Sequence, residues 1–82
     1  MMLDHEPLHV LVAERIRLHR QSLGISQETL AEKCGLHRTY IGAIERGERN
    51  ITINTLARVA EALGCSVIDL LSIVAEKEKK QR

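Results

Sequence analysis

The sequence predicts an all-α fold of five short helices, and three observations carry that prediction. Hydrophobic residues make up 44% of the 82-residue chain, yet they are nearly all aliphatic: there is no Trp or Phe, and Tyr40 is the only aromatic. Apolar residues recur at helical three- and four-residue spacing rather than in alternation. The periodic stretches are punctuated by Gly24, Gly35, Gly47 and Gly64, and three of them open on Ser26, Thr52 or Ser66, residues suited to a helix N-cap. A chain this short is expected to fold as one domain over 1–82, with a core at about 8–74 and a charged tail at 75–82 that is solvated and frayed.

The first helix is read over 7–23 from Leu8, Leu11, Val12, Ile16 and Leu23, with Arg15, Arg17, His19 and Arg20 between them and Gly24 as its stop. Its leading segment, HEPLH, formally matches the zinc-protease pattern H-E-x-x-H. That chemistry requires both histidines on one face of an established helix and a third ligand. Pro7 inside the motif instead marks a helix start, so no metal is expected. The second helix, 26–34, takes Ser26 as cap and places Leu30, Ala31 and Cys34 inward. After the turn Gly35-Leu36-His37 a third helix runs over 38–46, with Ile41 and Ile44 inward and Gly42 and Ala43 read as small residues on an outward face. The fourth begins at the cap Thr52 and carries Leu56, Val59, Ala60 and Leu63 to Gly64. The fifth starts at Ser66, with Asp69 three residues on completing a capping box.

Two short helices joined by a tight glycine-containing turn make a helix-turn-helix, whose second helix can enter a DNA major groove. The segment HRTYIGAIERGERN suits that task. His37, Arg38 and Thr39 put long, varied polar groups at the leading end of the third helix. An arginine pairs bidentately with guanine O6 and N7, and a threonine offers a hydroxyl or a methyl. Tyr40 reaches a phosphate or a thymine methyl, or else packs against the second helix; His37 meets DNA or simply caps its helix. Ser26 and Gln27 point N–H groups and an amide at a phosphate, and Arg46 and Arg49 follow the helix toward the backbone or the adjacent groove. Net charge, 12 Lys and Arg against 11 Asp and Glu, announces no polyanion partner, but between Arg15 and Arg49 basic residues outnumber acidic ones. If His37 faces phosphate, affinity should rise as pH falls toward about 6.

SQETLAEKCGLHRTYIGAIERGERN followed by TLARVAEALGCS resembles the Cro/C1-type, or xenobiotic-response-element, helix-turn-helix family over roughly 12–71. RTYIGAIERGERN is especially similar to the small controller proteins of restriction–modification systems. The resemblance implies a lambda-repressor-like DNA-binding domain that acts as a homodimer on a pseudo-palindromic double-stranded operator and regulates transcription. It assigns base contacts to Arg38, Thr39 and Tyr40 with His37 beside them, a phosphate clamp to Gln27, a backbone contact to Arg46, and to Arg49 a position that also reaches bases. It further implies an ion pair between Arg20 and Glu45. Ala43 stands where some members carry a longer base-reading side chain, which shifts the readout onto Arg38 and Arg49.

Apolar residues at the far end of the chain, Ile68, Leu71 and Val74 with Leu3 or Leu8, exceed the needs of a small core and point to a dimer interface. Two-fold symmetry would set the recognition helices about 34 Å apart. Cys34 and Cys65 read as reduced thiols packed as small hydrophobes. No signal pattern or membrane-length apolar run is present, which leads to a cytoplasmic expectation. No catalytic set, cofactor or small-molecule effector is implied. Two other readings stay open: the antitoxin half of a toxin–antitoxin pair, and an adaptor that keeps the fold without reading DNA. An adaptor would have no need of His37, Arg38, Arg46 and Arg49 along one edge.

Overall fold

A computed structural model describes residues 7–72. Within them lie α1 (Leu8–Ser22), α2 (Gln27–Cys34), α3 (Arg38–Glu45) and α4 (Ile53–Leu63), and a fifth helix, α5, that begins at 67 and runs to the end of the described residues at 72. No strand occurs among them. The expectations for Leu3, Val74 and the 75–82 tail fall outside the described residues.

The boundaries follow from end chemistry. Pro7, at φ −60°, precedes α1, where its missing N–H costs nothing because a first-turn N–H has no helical partner. The Ser26 and Thr52 hydroxyls accept the backbone N–H groups of Thr29 and Thr55, at 3.0 and 3.1 Å, and so cap α2 and α4. At α5 the capping box closes in both directions: the Ser66 N–H donates to Asp69 Oδ2 and the Asp69 N–H to Ser66 Oγ, each at 3.0 Å. Gly35 ends α2 at φ 71°, a left-handed conformation that costs other residues about 1 kcal/mol or more, and it turns the chain sharply into α3.

Leu11, Ile16, Leu30, Ile41, Val59 and Leu70, one or two from each helix, are fully buried and form the centre of the core. Leu36, in the turn of the motif, and Tyr40 pack against its edge. Arg58 of α4 donates to the Cys34 and Gly35 carbonyls at 2.8 and 3.2 Å, tying α4 to the end of α2. Both thiols are free; burial pushes the buried Cys34 upward in pKa, and burial with the nearby Asp69 carboxylate does the same for Cys65.

Two expectations about α3 are corrected. Gly42 and Ala43 are buried rather than outward-facing. A side chain at Gly42 would meet the Arg46 guanidinium at 3.1 Å and the Gln27 amide oxygen at 3.5 Å, so the space serves those two groups and not an approaching DNA strand. Ala43 is a core residue.

Candidate nucleic-acid interface

Glu45, the last residue of α3, anchors the site. It is the only buried charged or polar residue among those described, with 3% of its surface exposed. Arg20 of α1 reaches it in a fork, Nε to Oε2 at 2.7 Å and Nη2 to Oε1 at 3.0 Å. Gln27 Nε2 donates to the same Oε1 at 3.0 Å. The remaining Arg20 nitrogen, Nη1, holds the Ile25 carbonyl at 2.8 Å just before α2. One buried carboxylate thus ties α1, the start of α2 and the end of α3 together, each charge met by several partners.

Two further ties were not read from the sequence. Arg17 Nη1 donates to the Glu45 carbonyl at 3.3 Å, and His9 Nε2 donates to the Gly47 carbonyl at 3.1 Å. Arg17 holds the last residue of α3 and His9 the loop that follows it. Arg17 lies three residues before Arg20, on the same side of α1, and that spacing was the available signal. His9 had none, since its partner lies 38 residues away. Its Nε2 carries the proton it donates, which removes that nitrogen as a metal ligand; His5 and Glu6 of the same motif lie outside the described residues. Among the described residues no group of three or more His, Cys, Asp or Glu is placed to hold a metal ion.

Above this base lies an open cleft of about 550 Å³ between the start of α2 and α3, lined by Ser26, Gln27, Arg38, Thr39, Gly42 and Arg46. His37, Arg38 and Thr39 are exposed along the leading end of α3. His37 caps that helix, its Nδ1 accepting the Thr39 N–H at 3.1 Å. Protonation would add a charge there but remove this acceptor. Arg38 Nη1 lies 3.9 Å from Glu28 Oε2, a loose pair between two exposed groups. Tyr40 is half-buried, and the Arg49 guanidinium lies over its ring, 5.6 Å from the centroid, a cation–π contact that holds both groups at the edge of the helix. Arg46 is not free: Nε and Nη2 donate to the two Glu48 oxygens at 2.9 and 3.2 Å. Gln27 is half-buried, with its amide nitrogen engaged by Glu45.

A rigid two-helix unit with a polar leading edge defines a helix-turn-helix protein, and comparison with known proteins agrees. A helix-turn-helix family model matches residues 16–70, two thirds of the chain. The chain belongs to that family, in its Cro/C1 type. It is 53% identical over 62 residues to the control protein C.SmaI of Serratia marcescens, covering 76% of this chain and 74% of that one. The crystal structure of the restriction–modification controller protein C.AhdI from Aeromonas hydrophila superposes with a TM-score of 0.73 at 40% identity, over 76% of this chain and 94% of that one. A chain of the C.Esp1396I controller tetramer, solved in complex with its natural 35 base-pair operator, superposes at a TM-score of 0.79 and 35% identity, over 88% of this chain and 95% of that one. The chain is a helix-turn-helix transcriptional regulator resembling restriction–modification control proteins. No helix among the described residues is long and apolar enough to cross a membrane.

Proposed function

We propose that this chain controls transcription by binding a pseudo-palindromic DNA operator as a homodimer, with α3 in the major groove. The observation that carries the reading is the row of exposed polar side chains at the leading end of α3, mounted on a helix whose other end is fixed by the buried Glu45 knot. A recognition helix needs both properties, because base readout requires side chains held in register with the groove. Arg38 reads a guanine, Thr39 contacts a neighbouring base, and His37 stands beside them. Arg49, resting on Tyr40, reaches the adjacent groove or bases. Ser26 and Gln27 at the α2 start and Arg46 at the α3 end flank the cleft and take the phosphate backbone.

The dimer forms through the apolar end of the molecule. Ile53, 81% exposed, and Leu8, 54% exposed, line a groove together with Val12, Ile51, Leu56, Val67 and Leu71, and Ile68, next to Val67 in α5, is 77% exposed. A second copy, related by a two-fold axis, is the occupant that the symmetry of a palindromic operator requires. Ile53 joins Ile68 and Leu71 in this interface although the sequence reading passed over it. Regulation follows from operator occupancy, without catalysis, in the cytoplasm where the DNA is. The test is selection of bound duplexes from a random library near physiological salt with competitor DNA. Enrichment of a two-fold-symmetric site with half-sites one helical turn apart supports the reading; weak, salt-sensitive binding with no enrichment overturns it.

A further inference from the structure

The carboxylate of Glu48 holds two of the Arg46 donors. Arg46 closes α3, and its guanidinium lies back over Gly42, beside the cleft between α2 and α3. Two of its donors are forked onto the two oxygens of Glu48, Nε to Oε2 at 2.9 Å and Nη2 to Oε1 at 3.2 Å. Parallel N–H···O bonds to two oxygens of one anion are also how an arginine holds a phosphate. Both side chains are more than half exposed, 58% and 56%, so the fork is a surface lock that solvent and ions can open, not a buried structural pair. Glu48 sits one turn of loop beyond α3, its own N–H bonded to the Ala43 carbonyl at 3.0 Å, while His9 fixes the Gly47 carbonyl next to it. The backbone therefore holds the carboxylate in reach of the guanidinium.

We propose that Glu48 is an internal competitor for the DNA backbone: it must release Arg46 before Arg46 can clamp a phosphate, and it thereby lowers sequence-independent affinity. This rests on the DNA-binding reading given above. Arg46 holds the Glu48 carboxyl below its ordinary range, chiefly through the hydrogen bonds, so the competitor stays charged at any neutral or mildly acidic pH. A carboxylate on a phosphate-clamping arginine weakens binding to every sequence and leaves the base readers Arg38 and Thr39 untouched.

The experiment is a double-mutant cycle on Arg46→Ala and Glu48→Gln in the full chain. Affinity is measured for a random-sequence duplex and for the selected site across a salt series, with Glu32→Gln as a charge-matched control on the exposed face of α2. The expected result is that Glu48→Gln tightens binding to both duplexes by about two- to five-fold and steepens the salt dependence, while adding nothing in the Arg46→Ala background. An equal gain in the Arg46→Ala background, or the same gain from Glu32→Gln, means that Glu48 acts only as bulk charge and overturns the proposal while the DNA-binding reading stands. If the unmutated chain binds neither duplex, both readings fall together.

Discussion

Glu45 is buried, and its two oxygens accept three hydrogen bonds, from Arg20 and Gln27. Removing one partner of such a pair leaves a charge stranded in the core and costs about 3–5 kcal/mol, whereas replacing both with apolar groups restores much of that loss. Arg20→Met and Glu45→Leu should each lower the urea midpoint sharply, and the double variant should be more stable than the sum of the singles predicts. Strict additivity would mean that the pair is energetically ordinary. At the exposed end of the same helix, Arg38→Ala is expected to cost about 1–3 kcal/mol on the selected site and to relax preference at one base pair only. Arg46→Ala should instead weaken all sequences alike and reduce the salt slope by about one. Competition binding on single-base variants of the site separates the two, and identical behaviour would dissolve the division between base reader and phosphate clamp. Arg20 and Glu45, paired on paper by resemblance, sit in contact in the structure. The Arg46–Glu48 fork escaped that reading, because it lies in a loop where no periodicity assigns a face.

Short helices are decided at their ends, and this is where the sequence was most legible. Ser26, Thr52 and Ser66 as caps and Gly35 and Gly64 as stops set the limits of α2, α4 and the start of α5 to within a residue. The faces of α3 were harder to read. With eight residues there are barely two turns, and small residues such as Gly42 and Ala43 carry no hydrophobic signal strong enough to say which way they point. The capping box of α5 has a pH signature. The Ser66 backbone N–H, and after it the Ser66 hydroxyl, hold the Asp69 carboxyl below its ordinary value of 3.8, with His19 and Arg15 adding to the shift. A lowered folded-state pKa contributes stability above about 3.8 that disappears as pH falls through the still lower folded value. Asp69→Ala should therefore be destabilising at pH 7, and the gap to the unmutated chain should narrow as pH falls below the ordinary carboxyl value, with the better helix propensity of alanine as a constant offset. Thermal unfolding at pH 7, 5 and 3 checks this, and a gap that stays flat with pH would remove Asp69 as the cause.

At the scale of the whole molecule, the polar cleft beside α3 and the apolar groove are lined by different residues, so each can be altered without the other. Leu71 is half-buried and packs against the core, which makes its substitution ambiguous between unfolding and dissociation. Ile68 and Ile53 are exposed for more than three quarters of their surface, so their substitution tests the proposed interface without disturbing the core. In the proposed dimer, burying each against a second copy would contribute about 1.5–3 kcal/mol, twice over by symmetry. Ile68→Asp is therefore expected to leave the thermal unfolding profile of the folded unit nearly intact at low protein concentration while shifting sedimentation to the monomer. Its effect on DNA should depend on the number of half-sites. Two linked recognition helices raise each other's effective concentration, so affinity for a complete operator should fall by about 100-fold or more while affinity for a single half-site barely changes. Equal losses on both DNAs would mean that Ile68 supports the recognition helix itself rather than a partner. Unchanged sedimentation in both Ile68→Asp and Ile53→Asp would place the dimer contact, and with it the half-site spacing, on another surface.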